Sequence, residues 1–164
     1  EETAMGRYPV GAVQVMVKVG ADTEKQFDYE GWARRFDDRS KMTFGGAVAH
    51  AAAEMAEDIQ AAAIITCTRS GGTTRRGARY RPRQVLLSMT PDRHAALRMA
   101  LIFGAVPMLI DMVDNAEDLE RLAVNRALQC GHVQPGQPVV ITAGLPFHKS
   151  LPTNMIKVTA AEWG

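Results

Sequence analysis

The sequence predicts an α/β fold of three layers, with helices on both faces of a five-stranded, mostly parallel sheet. Short apolar segments alternate with helical segments from residue 43 onward, a pattern that is typical of a parallel sheet. Only residues 144–154 separate the last two apolar segments, and this stretch is too short for a helical crossover. We therefore expect the last strand to run antiparallel to its neighbour.

Two zones precede the predicted sheet. In residues 9–20 apolar side chains recur at helical spacing, and Pro9 stands where the first turn of a helix tolerates proline. Residues 21–40 are polar, mixed in charge and weakly periodic, and we interpret them as a connector with one short helix. The predicted organisation is a first segment at 1–20, the connector at 21–40 and a domain at 41–164.

Five short apolar segments are the predicted strands. They occupy residues 62–67, 85–89, 105–110, 137–143 and 155–160. The longest apolar run, residues 99–110, is interrupted by Gly104 and Pro107. It falls well short of the roughly 20 apolar residues that a membrane span needs, so no membrane partner is predicted.

Capping residues and charge order mark the starts of the helices. Thr43 precedes the alanine-rich segment 47–59, and Thr73 or Thr74 is expected to cap a short helix after the first strand. Residues 111–120 hold five acidic residues ahead of two arginines, an order that the helix macrodipole favours. A further helix is predicted to open at residues 90–92.

The composition indicates an ordinary globular protein, with 46% hydrophobic and 23% charged residues. Nineteen basic and eighteen acidic residues leave a net charge of +1, which predicts neither nucleic acid nor an anionic membrane as a partner. Cys67 and Cys130 form no CxxC motif, so we expect reduced thiols and a cytoplasmic protein. Because the chain opens with Glu rather than Met, we expect a fragment or a processed piece.

The stretch at residues 64–75 is the most informative for function. A predicted buried strand ends in hydroxyl residues and glycines, and a helix follows. Backbone N–H groups, hydroxyls and a helix N-terminus then point to one place, which is how proteins bind phosphate without a large net charge. Six arginines between residues 69 and 83 add donors that bind phosphate bidentately. The alternative is a capped helix with a solvated basic face.

Residues 144–154 form a second candidate segment. This long connection between two predicted strands carries Lys149, Ser150 and Thr153. Loops of this kind often fold over a ligand. The alternative is a plain surface loop.

Sharper catalytic motifs are absent from the sequence. It contains neither a Walker A run nor a Gly-x-Gly-x-x-Gly run. Cys67 precedes an arginine, but residue 73 is threonine, so the Cys-x5-Arg spacing of cysteine phosphatases fails, and we expect a buried apolar residue. The four histidines are dispersed, without cysteine or carboxylate at ligand spacing, so no metal site is predicted. No pair of nucleophile and base is recognisable.

Several segments, in the right order, resemble the pyruvate kinase family. Residues 2–10 are similar to the family's Glu-Thr-Ala-x-Gly-x-Tyr-Pro-Val, which closes the last strand–helix unit of its catalytic barrel. Residues 68–75 resemble its effector-loop signature, and residues 78–82 include the Tyr-Arg-Pro that follows it. Residues 139–146 and 153–158 resemble its last two strands, so the resemblance runs essentially from end to end.

The resemblance implies that residues 1–20 are the tail of the barrel domain and residues 41–164 the C-terminal regulatory domain. In the family this domain binds a phosphorylated effector and forms part of a tetramer interface. The implied partners are a sugar phosphate or nucleotide monophosphate, the barrel domain of the same enzyme, and further copies in a homo-oligomer. The residues implied to bind the effector phosphate are Thr68, Arg69, Ser70, Gly71, Gly72 and Thr73. The residues implied to form the effector loop are Gly144, Pro146, His148, Lys149, Ser150 and Thr153.

Two departures from the family pattern bear on the effector. His148 and Leu151 stand where many members have glycine, and their bulk is expected to change or abolish closure of the loop. The aromatic–arginine pair that animal enzymes use for a second phosphate has no clear match in residues 111–126. AMP, ribose 5-phosphate or glucose 6-phosphate is therefore at least as good a candidate as fructose 1,6-bisphosphate.

The resemblance also implies that this chain alone is not catalytic. The family transfers a phosphoryl group from phosphoenolpyruvate to ADP with a lysine, Mg²⁺ held by carboxylates, and K⁺, on barrel strands upstream of residue 1. No cofactor is expected in this chain, because Mg²⁺ and K⁺ belong to the parent enzyme. Two alternatives are a separate small-molecule enzyme built on the same phosphate loop and an assembly module without an effector.

Overall fold

The sheet has five strands in the order β3-β2-β1-β4-β5. The strands are β1 (Ala63–Cys67), β2 (Val85–Thr90), β3 (Ala105–Leu109), β4 (Pro138–Ala143) and β5 (Met155–Ala160). The helices are α1 (Pro9–Glu24), α2 (Tyr29–Arg34), α3 (Phe44–Asp58), α4 (Gly72–Arg79), α5 (Arg93–Met99) and α6 (Ala116–Gln129). This computed structural model describes residues 2–35, 42–147, 149 and 151–164.

Strand β1 lies at the centre of the sheet and pairs in parallel with both β2 and β4. Ile65 stands opposite Leu87 on one side and Ile141 on the other. Strand β5 pairs antiparallel with β4, and Val140 stands opposite Val158. The predicted five-stranded sheet, parallel except for its last strand, is confirmed.

Two apolar cores lie on opposite faces of the sheet, because successive side chains of a strand point to opposite sides. Ile65 and Ile141 belong to the core that α6 covers with Leu119 and its neighbours. Ile64 and Val140 belong to the core that α3 and α4 cover. The three layers of the predicted fold are therefore present.

The chain divides into two units, Glu1–Gly31 and Trp32–Gly164. The first unit contains α1, which begins at Pro9 as predicted but continues to Glu24, and none of its residues is buried. The short helix predicted in the connector is α2. The end of that connector, residues 36–40, and the first residue of the predicted domain, residue 41, lie outside the described residues.

The caps of α3, α5 and α6 follow ordinary side-chain rules. The Thr43 hydroxyl accepts a hydrogen bond of 3.2 Å from the Gly46 N–H, which confirms the predicted cap of α3. Asp92 caps α5 and Asn115 caps α6, so α6 starts later than the acidic run suggests. Among the described residues, no helix combines the length and the apolar character that crossing a membrane requires.

The start of α4 differs from the prediction. Gly71, with φ of +86°, is the N-cap residue, and no side chain caps the helix there. Thr73 and Thr74 lie inside the first turn instead, so the prediction that one of them caps α4 is wrong. A left-handed glycine turn brings the chain directly from the first strand into the helix, and it frees both threonine hydroxyls for contacts elsewhere.

Candidate functional site

A cleft of about 350 Å³ opens at the carboxyl ends of β1 and β4. One wall is the turn between β1 and α4, and the other is the connection between β4 and β5. These are the two segments that the sequence singles out. In open α/β sheets, ligands bind in crevices at the carboxyl ends of the strands, which is where this cleft lies.

The first wall is a glycine turn that leads into a helix start. The Thr68 hydroxyl accepts a hydrogen bond of 3.1 Å from the Gly71 N–H and so fixes the turn. A Cβ atom at Gly71 would lie 3.0 Å from Cγ of Met99, so both the positive φ and the close packing require glycine. Because α4 begins at Gly72, the first N–H groups of the helix have no carbonyl partner within it, and Gly72 and Thr73 line the cleft.

The second wall is held against the sheet at its base. The Asn154 side-chain amide donates to the Leu145 carbonyl at 2.9 Å and its oxygen accepts from the Leu145 N–H at 2.8 Å. A Cβ atom on Gly144 would lie 2.6 Å from the Leu151 carbonyl oxygen, so the returning chain passes directly over this glycine. The base of the connection is therefore fixed by backbone approach and by one amide side chain.

One side-chain contact joins the two walls. The hydroxyls of Thr73 and Thr153 lie 2.9 Å apart and share a hydrogen bond, and both residues are buried. Beneath them, Thr74 bonds to Thr66 at 2.7 Å, and Thr66 lies 3.4 Å from the Ser88 hydroxyl. Buried hydroxyls that are paired in this way hold the start of α4 against β1 and β2 in one arrangement.

The arginines that follow the turn have different surroundings. Arg69 and Arg76 line the cleft together with Lys149, and no carboxylate is among its described lining residues. Arg81 instead lies over the ring of Phe103, 4.2 Å from its centroid, and Arg83 lies 3.5 Å from the Glu57 carboxylate. The cleft therefore presents three cations, fewer than the run of six arginines suggests.

Arg76 lies in a cradle of two glycines. A Cβ atom on Gly45 would lie 3.2 Å from Nε of Arg76, and one on Gly72 would lie 3.2 Å from its Nη1. The absence of side chains at both positions lets the guanidinium lie over the start of α4. This places a fork of N–H donors beside the helix N-terminus, where an anion would be bound.

Cys67 lines the floor of the cleft but is not a nucleophile. The residue is fully buried, and burial raises the pKa of its thiol to about 12. A thiol with such a pKa is protonated at neutral pH, and the reactive species is the thiolate. Cys67 therefore has the buried, apolar role that the sequence predicts for it.

His50 has a packing role on α3. It is buried, its ring meets the ring of Tyr80 edge to face at 5.1 Å between centroids, and its Nδ1 lies 3.2 Å from the Glu54 carboxylate. Within the described ranges, no group of three His, Cys, Asp or Glu side chains could hold a metal ion.

The cleft brings together most of the residues that sequence reasoning names. The lining includes Thr68, Arg69, Ser70, Gly72, Thr73, Gly144, Lys149 and Thr153. Gly71 shapes the turn without lining the cleft, Pro146 is not among the lining residues, and His148 and Ser150 lie outside the described residues.

Five lining residues lie in or beside the two candidate segments but are not among the residues implied to bind the phosphate or to form the effector loop. They are Cys67, Arg76, Phe147, Leu151 and Pro152. Arg76 belongs to the run of six arginines, and because it follows Gly72 by four residues it shares a helix face with that glycine. The others line the cleft through the path of the backbone, which local sequence does not reveal.

Comparisons with known proteins agree on one family. Residues 46–159 match the family model described as the pyruvate kinase alpha/beta domain. A pyruvate kinase of Clostridium acetobutylicum is 33% identical over 161 residues, which covers 98% of this chain and 34% of the relative. One of Geobacillus stearothermophilus is 33% identical over 157 residues, covering 96% of this chain and 27% of the relative.

A solved structure gives the same result. The crystal structure of a pyruvate kinase from Cryptosporidium parvum superimposes with a TM-score of 0.87 at 26% identity, covering 98% of this chain and 32% of that one. The chain thus spans about a third or less of the length of the proteins that it matches.

Proposed function

The chain belongs to the pyruvate kinase family, of which it is the C-terminal α/β domain, and we propose that its cleft binds a phosphorylated effector. The carrying observation is that the turn at Thr68–Thr73 and the connection at Gly144–Thr153 form one cleft, joined by the 2.9 Å contact between Thr73 and Thr153. The predicted site residues come from segments far apart in sequence, and a shared cleft is what a common ligand needs.

The chemistry of the cleft supports a phosphate as the bound group. The helix start supplies N–H donors with a partial positive charge, and Ser70 and Thr73 supply hydroxyls. Arg76 supplies a fork of donors that matches two phosphate oxygens, and Lys149 supplies a mobile ammonium from the opposite wall. A phosphate bound there would meet donors on both walls.

We propose that the bound effector regulates the rest of the parent enzyme by changing the arrangement of this domain. A ligand that touches both walls stabilises one arrangement of the connection between β4 and β5, and that shift in population is the physical basis of regulation. In the proposed parent enzyme, phosphoryl transfer from phosphoenolpyruvate to ADP, with Mg²⁺ and K⁺, belongs to the catalytic barrel domain. Association with that barrel and with further copies in a homo-oligomer is part of the same proposal.

A second candidate is an assembly domain that binds no effector. Leu151, which stands where many family members have glycine, lines the cleft and is 46% exposed. An apolar side chain at that position reduces the space for a charged ligand. The two candidate functions therefore differ in whether the cleft binds any phosphorylated compound.

A thermal-shift panel separates the two candidates. The ligands are fructose 1,6-bisphosphate, glucose 6-phosphate, ribose 5-phosphate, AMP and inorganic phosphate, added to the full chain. A ligand at about 100 times its dissociation constant stabilises the native state by roughly 2.7 kcal/mol, which raises the melting temperature by several degrees. A selective shift supports effector binding, whereas no shift with any ligand favours the assembly domain.

Two neighbouring arginines provide matched variants for this panel. Arg76 lines the cleft, whereas the exposed Arg75 does not, although both lie in α4 and carry the same charge. Arg76→Gln should remove most of the ligand-induced shift, and Arg75→Gln should retain it. Equal shifts in the two variants would show that the ligand binds elsewhere.

A further inference from the structure

Gly45 is a buried glycine at the second position of α3, a helix that is otherwise rich in alanine. Glycine destabilises a helix relative to alanine, because it loses more conformational freedom on folding. Its neighbour Gly46 has a local reason to be glycine, since a Cβ atom there would lie 3.2 Å from Oγ1 of Thr43, which caps the helix. The space beside Gly45 is filled from α4 instead.

The side chain of Arg76 occupies the space that a side chain of Gly45 would fill. A Cβ atom on Gly45 would lie 3.2 Å from Nε, 3.3 Å from Cδ and 3.3 Å from Cζ of this arginine. These distances are shorter than the optimal separation of non-bonded atoms, so the arginine would have to move. On its other side, Nη1 of Arg76 lies in the space that a side chain of Gly72 would fill. The guanidinium group is therefore placed by two stretches of backbone that carry no side chain.

Arg76 is oriented by this packing and not by an ionic partner. Neither an ion pair nor a side-chain hydrogen bond connects it to another described residue. Arg83, by contrast, lies 3.5 Å from the Glu57 carboxylate. A guanidinium group carries five N–H donors in a rigid fork. Because the protein does not use those of Arg76, they remain available to a ligand in the cleft that this residue lines.

We propose that Gly45 is a positioning residue for phosphate binding, which keeps the Arg76 guanidinium beside the start of α4. The inference rests on the proposed function, because it takes a phosphate to lie in the cleft. Gly45 itself is not among the residues that line the cleft, so it acts through Arg76. A side chain at position 45 would displace the guanidinium from the N–H groups of the helix start, with which it is proposed to bind the phosphate.

The start of α3 is fixed, so the arginine and not the helix has to give way. The Tyr80 hydroxyl donates to the Gly46 carbonyl at 3.4 Å, and the ring of His50 packs edge to face against the Tyr80 ring. Arg76 is exposed and its side chain is flexible, so a methyl group at Gly45 displaces it toward solvent at little cost to the fold. Because alanine also favours the helix, stability and phosphate binding should change in opposite directions.

Gly45→Ala tests the proposal, because a positioning role and a purely structural role predict different results. The full chain is titrated with inorganic phosphate at constant ionic strength, and the melting temperature reports both stability and affinity. We expect phosphate to bind Gly45→Ala about tenfold more weakly, as for the loss of one hydrogen bond to a charged group. Without phosphate, the melting temperature should equal or exceed that of the wild type. Unchanged affinity, or weaker binding together with a lower melting temperature, would overturn the positioning role.

Gly77→Ala is the matched control. Gly77 is a buried glycine of α4, and a Cβ atom there would lie 3.4 Å from Cδ1 of Leu86 in the core, which is an ordinary packing distance. The variant adds the same methyl group where α4 faces the sheet, and its phosphate affinity should remain close to that of the wild type. An equal loss in Gly77→Ala would show that any added methyl group nearby disturbs the cleft, and would overturn the specific role of Gly45.

A double-mutant cycle shows whether Gly45 acts through Arg76. Arg76→Ala removes all three atoms that the new Cβ would meet, so Gly45→Ala should have no further effect on phosphate affinity in that background. A further loss as large as that in the wild-type background would overturn the proposal.

The positioning role and the proposed function fail in different ways. If Arg76→Ala weakens phosphate binding but Gly45→Ala does not, the positioning role alone is contradicted. If the wild type binds no phosphate, or if Arg76→Ala binds it as tightly as the wild type, the proposed phosphate site is contradicted and the positioning role falls with it.

Discussion

Thr73 and Thr153 are 80 residues apart in sequence, yet their hydroxyls share a buried hydrogen bond of 2.9 Å. Thr73 lies in the first turn of α4, and Thr153 lies at the end of the connection that precedes β5. The bond therefore links the helix start to the opposite wall of the cleft. It couples the stability of the fold to the geometry of the proposed binding site.

We predict that removing both of these hydroxyls lowers the free energy of unfolding by less than the sum of the two single removals. Thr73→Val or Thr153→Val leaves the other buried hydroxyl without its partner, which should lower the free energy of unfolding by about 1–3 kcal/mol. In the double variant no hydroxyl is left unpaired, so its loss should be smaller than the sum of the two single losses. Urea denaturation of the four proteins measures this coupling, and strictly additive losses would contradict it.

Ser70 offers a test of binding that leaves the fold intact. Its side chain is exposed and lines the cleft. Ser70→Ala should weaken binding of a phosphorylated ligand by about 1–3 kcal/mol, because a donor to a charged group is lost. Thr159→Ala, which removes a hydroxyl of β5 outside the cleft, is the control. Calorimetry with unchanged affinity in Ser70→Ala would place the ligand away from this turn.

Gly144 should tolerate no side chain. A methyl group there would lie 2.6 Å from the Leu151 carbonyl oxygen, so the connection has to move outward. We expect Gly144→Ala to lower ligand affinity at least about tenfold and to reduce the melting temperature. Gly20→Ala is the control, because a Cβ atom there meets nothing within 4 Å and alanine is preferred inside a helix. Unchanged binding by Gly144→Ala would show that the path of this connection is immaterial to the ligand.

The sheet could be predicted because its signals are local. Strand identity follows from short apolar segments, and the antiparallel direction of β5 follows from the short connection after β4. The start of α4 was mispredicted because threonine is a common cap, whereas here Gly71 makes the turn with the Thr68 hydroxyl. The hydroxyls of Thr73 and Thr74 bond to Thr153 and Thr66, which the tertiary fold brings near them. Capping preferences consider only neighbours in sequence and so cannot predict these bonds.

The candidate site could be located from the sequence, but the sequence could not show which of the arginines line the cleft. The glycine turn and the long connection both follow strands that lie side by side, and this adjacency brings them to one cleft. Whether an arginine faces the cleft depends on its position on α4 and on neighbours from other elements. Arg76 is accommodated by Gly45 on α3, and Arg81 stacks on Trp32 and Phe103.

The stability of the chain should fall at alkaline pH because of Cys67. Burial raises the pKa of this thiol from 9.0 to about 12 in the folded state, so between these values the unfolded chain ionises the thiol and the folded chain does not. Below the unfolded value the group has no effect on stability. As pH rises above it the free energy of unfolding decreases, by about 2 kcal/mol near pH 10.5.

The comparison that isolates this effect is urea denaturation at pH 8 and about pH 10.5 for the wild type and Cys67→Ala. The variant loses packing at both pH values, but it should lack the extra alkaline decrease, since alanine does not titrate. The difference in free energy of unfolding between the wild type and Cys67→Ala should therefore be about 2 kcal/mol smaller at pH 10.5 than at pH 8. If this difference in free energy of unfolding is the same at both pH values, the thiol ionises equally in the folded and unfolded chains, contrary to its burial beneath the cleft.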